Sequence, residues 1–390
     1  MSCLIAQRYD RLGGRLSSLS FALFIRRAHG FEVRMSWPYG RIHPMHITPE
    51  DVFSAEFLHG RMMDPKDVRK ILRQQENEPD TPPYYRVIDA LDKAEIPPDL
   101  DPGPIGPFSD VLPVAYFSEP IQEAMQALTR QHYSGVHIRH GDLVDGQWRH
   151  YGYMERFVPF DATLHFIQNT CAPGEFRVHS DDPKAANHMS ELADRTGVTD
   201  YRFVASRAFD GVDQDVFDIF HMACAQQIIA PQKSAYSGFA ARYYGRPRHD
   251  QTPQALQAWA EEHINAPKDM ISPFYSVKRH LFIIRMLQEL GVSDKYVMSI
   301  DRMLSHVEAT EADNAELYLQ KMRFFRASTP FPAFEADLAA YVDMMEDLKT
   351  FMPARGGAVR LMELIAELEP DDRRVAPMKE AIKTIHPVQL

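Results

Sequence analysis

The sequence predicts an α/β protein made of two Rossmann-like domains and a C-terminal all-helical appendage. Three features predict it. Apolar runs of strand length alternate with helix-length amphipathic stretches up to about residue 250, a proline-rich stretch divides that series, and no strand pattern remains after about residue 272. The expected domains are 1–115, 116–271 and 272–390. A chain of 390 residues is too long for one ordinary core and suits this division.

Cys3 to Ala6 is a short apolar run, and Asp10 to Arg15 reads as a loop containing Gly13-Gly14. Leu16, Leu19, Phe21, Leu23 and Phe24 begin a helix that ends near Gly30, and Phe31 to Trp37 resumes as a strand that stops at Pro38. Between about 76 and 120, ten prolines exclude long helices, which predicts irregular loops joining the two halves beside a cleft.

The second series is more regular. Helices are expected at Ile121–Gln131, Phe160–Thr170, Pro183–Thr196, Val216–Cys224 and Ser234–Tyr244. Strands are expected at Ser134–Ile138, Glu175–His179, Tyr201–Val204 and Gln227–Ala230. Alternation of this kind implies a mostly parallel sheet, and ligands of such sheets bind outside the carboxyl ends of the strands. That rule selects the loops after Ile138, Val178 and Ala230. The tail then shows helical patterns at 276–290, 294–308, 312–327, 333–351, 357–368 and 371–385, read as stacked helical hairpins with no repeat motif at a fixed period. It is expected to pack on the second domain or to make a homo-oligomer contact.

Composition excludes several classes. A formal net charge of −11 argues against a nucleic-acid partner. The three cysteines, Cys3, Cys171 and Cys224, form no Cys-x-x-Cys pair, so neither a disulfide framework nor a zinc knuckle is indicated. No stretch approaches the roughly 18–20 apolar residues of a membrane span, and no signal-peptide layout opens the chain. A cytoplasmic location is expected.

The most informative segment is Gly135-Val-His-Ile-Arg-His-Gly-Asp142. An apolar strand delivers His137 and Arg139 to its carboxyl end, followed by a glycine turn and an acid. The planar fork of Arg139 suits a diphosphate through charge-assisted hydrogen bonds. The plainer alternative is a strand end with a surface arginine.

This segment resembles the His-x-Arg-Arg/His motif of the α1,6-, α1,2- and protein O-fucosyltransferase superfamily, and its Arg-His form is similar to the bacterial nodulation-type α1,6-fucosyltransferases. Three further stretches match in order. Arg8-Tyr-Asp-Arg-Leu-Gly-Gly-Arg-Leu-Ser-Ser-Leu19 resembles the opening glycine-rich loop and helix, His179-Ser-Asp-Asp-Pro183 the second donor motif, and Asp218 to Ile229 with Ser234 and Ser237 the third. The likeness covers roughly residues 1–250, sparsely in the middle.

The resemblance implies a GT-B-like fold and an inverting transfer of L-fucose from GDP-fucose to a hydroxyl of a glycan or glycoconjugate acceptor, with no metal or other cofactor. It implies that Arg139 binds the β-phosphate and stabilises the leaving group, that His137 and His140 lie against the donor, and that Asp181 or Asp182 accepts from guanine N1 and N2. Ser234 and Ser237 would serve the diphosphate at a helix N-terminus. Gly13, Gly14 and Arg15 would line the cleft from the first domain. Where the family often has Ser-Ser-Gln/Thr, this chain has Lys233-Ser234-Ala235, a departure at the diphosphate. For the catalytic base, Asp142, Asp145 and His150 remain open, with Asp142 favoured.

Other constellations have structural readings. Asp213 and Asp215 precede a helix and suit capping, and Asp99 and Asp101 suit a solvated turn. Asp181-Asp182 also fits an N-cap before Pro183. His137 and His140 lack a third zinc ligand, and Arg26, Arg27 and Arg34 suit a solvated face. Trp37, Tyr39 and His43 suit an acceptor-side wall or core packing equally. A Rossmann oxidoreductase is disfavoured, because the first loop is not Gly-x-Gly-x-x-Gly and Ser36-Trp37-Pro38 offers no ribose-binding acid. A non-catalytic binder of nucleotide or glycan, or a transferase of another nucleotide-linked sugar, remains as the alternative.

Overall fold

The computed structural model describes residues 3–9, 11–38, 46–77, 84–144, 156–208, 212–264, 272–324, 330–347 and 354–385. Its elements begin with β1 (Cys3–Gln7), α1 (Leu12–His29), β2 (Glu32–Ser36), α2 (Pro49–Val52), α3 (Ala55–Leu58), β3 (Met62–Met63), α4 (Pro65–Asn77) and β4 (Tyr85–Ile88). These strands form a sheet of order β3-β2-β1-β4 in which β1 pairs in parallel with both β2 and β4. The second series is α5 (Glu119–Leu128), β5 (Ser134–Ile138), α6 (Gly141–Val144), α7 (Phe160–Thr170), β6 (Gly174–Ser180), α8 (Ala185–Arg195), β7 (Tyr201–Ala205), α9 (Gln214–Cys224), β8 (Ile228–Pro231), α10 (Ala235–Tyr243) and β9 (Arg248–Gln251). Its sheet has the order β7-β6-β5-β8-β9, with parallel β5–β8 and β6–β7 pairs.

The helical segment follows as α11 (Pro253–His263), α12 (Pro273–Glu289), α13 (Val297–Thr310), α14 (Ala315–Arg323), α15 (Phe331–Asp347), α16 (Ala354–Ala366) and α17 (Val375–Ile385). Helices α12 and α13, α14 and α15, and α16 and α17 pack as successive pairs, the hairpin pattern expected from the sequence. The expected fold class, α/β with two parallel sheets and a helical C-terminal segment, is the one observed.

Three sequence expectations need correction. Gly13, Gly14 and Arg15 are not in a loop but in the buried first turn of α1. The reason is a close helix approach: a Cβ added to Gly13 would lie 2.5 Å from the Tyr236 Cα, so only glycine lets α1 meet the start of α10. Second, the proline-rich stretch contains β4, which completes the first sheet, and it is not merely a joining loop. Phe108 packs 5.3 Å from Phe21 on α1 and 5.7 Å from Phe239 on α10, while Phe117 packs 4.5 Å from Phe220 on α9. Prolines supply short 3₁₀ turns there that turn these aromatics inward. Third, Asp181-Asp182 is not a helix cap, because α8 begins at Ala185 with Lys184 at its N-cap.

Gly13→Ala is therefore expected to destabilise the protein by about 1–3 kcal/mol, as overpacking against backbone does. A urea melt reads it directly, and an unchanged midpoint would contradict the close approach of α1 and α10.

The chain divides into two compact units. The first takes Met1–His137, Ala172–His179 and Pro183–Asp250, and the second takes Ile138–Cys171, Ser180–Asp182 and Gln251–Leu390. This is a different partition from the three consecutive segments read from the sequence, since the loop after β5 belongs with the C-terminal helices. Among the described residues no helix is long and apolar enough to cross a membrane.

Candidate active site

In the first unit the second sheet fixes the first part of the site. The chain runs from β5 outward to β6 and β7 on one side, then returns to place β8 and β9 on the other. The topological switch point therefore lies between the carboxyl ends of β5 and β8, where open parallel sheets leave a crevice for ligands. Both ends carry expected site residues. His137 is the fourth residue of β5, and Ser234 follows β8 as the N-cap of α10. Their side chains meet, with His137 Nδ1 3.1 Å from Ser234 Oγ. The imidazole also packs 5.5 Å from the Tyr236 ring.

Ser234 Oγ accepts from the Ser237 backbone N–H at 3.4 Å, and buried Ser237 donates its hydroxyl to the Ser234 carbonyl at 3.5 Å. Ser237 thus shapes the first turn of α10. Lys233, directly before Ser234, is exposed beside the cap. Neither α1 nor α10 has an acidic residue in its first turn. Their N-termini meet at Gly13 and Tyr236, and two such ends attract an anion through unpaired N–H groups and helix dipoles.

Arg15 is buried and serves the fold. Its Nη2 donates to the Pro38 carbonyl at 2.6 Å, and its guanidinium lies 4.9 Å from the centroid of the Trp37 ring. Trp37 is a core residue whose Nε1 donates to the Ile47 carbonyl at 3.1 Å. Tyr39 and His43 lie outside the described residues, as do Asp145 and His150. Asp213 caps α9 by accepting from the Asp215 N–H at 2.9 Å, as its position before a helix suggests. Asp101 accepts from the Gly103 N–H at 3.0 Å, a turn role.

In the second unit, Arg139 directly follows β5 and is half-buried. The turn behind it is pinned by Asp181, whose Oδ1 accepts from the backbone N–H groups of His140 at 2.9 Å and Gly141 at 3.0 Å. Gly141 is required there, because a Cβ would stand 2.6 Å from the Asp181 carbonyl oxygen. The side chain of His140 turns into the core. Its Nε2 lies 2.7 Å from the Val158 carbonyl, and its ring packs 4.2 Å from Phe160 and 5.7 Å from Tyr275. Asp142 sits in the single turn of α6. The Asp182 N–H donates to Ser180 Oγ at 3.1 Å.

The helical segment supports this turn. Tyr275 Oη on α12 accepts from the Phe160 N–H at 2.7 Å. Arg279, also on α12, binds Asp161 Oδ2 on α7 through Nε at 3.1 Å and Nη2 at 2.8 Å, with side chains only 1% and 10% exposed.

Sequence reading missed one further group. His179, Asp218 and His221 converge in the first unit, all buried. Burial, then the neighbouring His179 and Arg177, push the His221 imidazole down to about 2. The native state therefore holds His221 neutral, while the unfolded chain takes up a proton below the usual value near 6.5. The stability so gained is complete above pH 6.5 and falls by about 1.4 kcal/mol per unit as pH drops below it. His221→Phe is expected to flatten that slope between pH 6.5 and 5 in urea melts run in EDTA. An unchanged slope would contradict the burial of a neutral ring.

No family model matches the chain, and no curated protein does. Solved structures do. The fucosyltransferase NodZ from Bradyrhizobium is similar at 15% identity and a TM-score of 0.39, covering 61% of this chain and 90% of that one. A NodZ α-1,6-fucosyltransferase structure soaked with GDP-fucose is similar at 14% identity and a TM-score of 0.38, covering 62% and 92%. POFUT1 in complex with GDP-fucose follows at 11% identity and a TM-score of 0.34, covering 64% and 96%.

Proposed function

We propose that the protein is a glycosyltransferase that moves L-fucose from GDP-fucose to a hydroxyl of a glycan or glycoconjugate acceptor, with inversion and without a metal at the diphosphate. The observation that carries this reading is the pairing of His137 with Ser234 at the switch point of the second sheet. It joins two separate motifs of the sequence, the His-Ile-Arg-His strand end and the Lys-Ser-Ala helix start, at the position where such a sheet binds a ligand.

In this reading the acceptor oxygen attacks fucose C1 as the bond from C1 to the β-phosphate oxygen breaks. GDP departs with the bonding electrons, and the acceptor proton passes to a base, assigned to Asp142. Charge grows on the diphosphate during the step. By the resemblance, Arg139 and Ser234 are each assigned to that charge, as donors that stabilise the transition state more than the ground state. Gly13 brings the start of α1 to the start of α10. The pinned position of Asp181 suits a positioning role, which assigns the guanine N1 and N2 edge to Asp182. Arg15, His140 and Ser237 act in this account by holding α1, the turn after Arg139 and α10 in place. Residues 1–115 are assigned to the acceptor side, 116–271 to the donor and 272–390 to support or self-association.

The test is release of GDP and fucose, or of a fucosylated product, from GDP-fucose in EDTA, with GDP-mannose and a UDP-sugar as controls. Turnover of GDP-fucose alone supports the reading. Equal inertness towards all donors, with GDP bound, would favour a binding protein on this fold.

A further inference from the structure

We propose that His179, Asp218 and His221 bind one divalent transition-metal ion of the zinc class, with a coordination position open to the adjoining cavity. His179 opens the second of the family-like stretches, and Asp218 and His221 lie in the third, but none of the three has been given a role towards the donor or in the transfer step.

The set is assembled from two elements. His179 stands at the carboxyl end of β6. Asp218 and His221 are three residues apart on α9 and so share one face of the helix. One ligand atom from each residue lies within 4.8 Å of the others, and all three residues are less than a tenth exposed. Metal–ligand bonds of about 2.0–2.2 Å in a tetrahedral site separate ligand atoms by about 3.3 Å. The His179 Nδ1 to Asp218 Oδ1 edge measures 3.3 Å already. The third ligand has to close by a small side-chain rotation.

Unmet hydrogen-bonding capacity points the same way. His179 Nε2 and both ring nitrogens of His221 are buried without a hydrogen-bond partner among the described residues. Such groups are normally paired, and an imidazole nitrogen that finds no donor or acceptor is the natural ligand of a zinc-class ion.

The carboxylate is braced as metal ligands are. Asp218 Oδ1 accepts from Gln214 Nε2 at 2.9 Å and from the Ser206 hydroxyl. The helix is fixed at the site by the Tyr133 hydroxyl, which donates to the His221 carbonyl at 2.6 Å. His221 and Phe217 line a cavity of about 470 Å³ whose wall includes Arg177, Asn187, Phe203 and Arg207. Of the three ligands His221 lines this space, and a site with three protein ligands keeps a fourth position for water or a small anion.

The test uses tag-free full-length protein stripped with EDTA and dialysed, then titrated calorimetrically with Zn²⁺, with Mg²⁺ as the oxygen-preferring control. The expected result is one equivalent of Zn²⁺ and no Mg²⁺. Asp218→Asn and His221→Gln should weaken Zn²⁺ by more than about 100-fold, and Ser206→Ala, which removes only the brace, by about 10–100-fold. Co²⁺ added to the unmodified protein should give the visible absorption of a nitrogen-ligated low-coordinate site. That readout decides the matter even if a variant fails to fold. Absence of Zn²⁺ binding and of the Co²⁺ band, or binding unchanged in folded variants, would overturn the proposal and leave a plain buried His–Asp hydrogen bond.

Discussion

Arg139→Ala is expected to lower turnover of GDP-fucose by about 10²–10³-fold, the usual effect of removing one preorganised donor from developing negative charge. Two features make the expectation sharp. Arg139 is the first residue beyond β5, two residues after His137, whose ring meets Ser234. Its turn is fixed from behind by the two hydrogen bonds that Asp181 accepts from His140 and Gly141, so little reorganisation attends the step. Arg139→Lys should restore only a small part of the rate, since an ammonium lacks the planar fork that grips two phosphate oxygens. The loss should appear in kcat as well as in kcat/KM, because the contact strengthens in the transition state. A rate within about threefold of the unmodified protein would remove Arg139 from the mechanism.

The second large effect is on stability. Arg279→Met should cost about 3–5 kcal/mol, because it leaves the Asp161 carboxylate buried without its partner. Asp161→Leu in the same protein should recover most of that loss, since replacing both members of a buried pair by apolar groups is often neutral or stabilising. The pair joins α7 to α12, one turn from the Tyr275 hydroxyl that receives the Phe160 N–H. His140 packs on both of those rings. The single variant should therefore also slow transfer by loosening the turn after Arg139, and the double variant should regain it. Denaturant melts with parallel rate measurements check both parts. A single variant as stable as the parent would show that the helical segment does not support the turn.

Particular residues show where sequence reading reaches its limit. Strands β5 and β8 are legible because a buried parallel strand reads as a mostly apolar run, and β6 and β7 because Phe176, Val178 and Phe203 alternate with charged neighbours at strand period. β4 is four residues long, carries Arg86 at its second position and follows two adjacent prolines, so its pattern resembles a loop. β9 is Arg-His-Asp-Gln and has no apolar signature at all. The C-terminal helices are legible from amphipathic periodicity alone, but their union with the Arg139–Val144 segment is a tertiary fact.

The same holds for the site. The strand-end pair His137 and Arg139 can be read directly, as can the helix start at Ser234. The task of Asp181 cannot, because it depends on backbone N–H groups about forty residues away. The burial of His140 cannot either, since the rings that enclose it include Tyr275 from a distant helix. Gly13-Gly14 reads as a loop in the sequence because glycine marks turns more often than close helix contacts. The signal for the His179–Asp218–His221 cluster was half visible, in the spacing of Asp218 and His221 on one helix. Nothing local pointed to His179 as the third member.

The most direct test of the central claim is calorimetric titration of the protein with GDP, set against UDP and NAD in EDTA. The account predicts one site selective for GDP, weakened by Arg139→Ala and by Asp182→Asn but not by His221→Phe. Absence of GDP binding, or binding indifferent to Arg139, would contradict it.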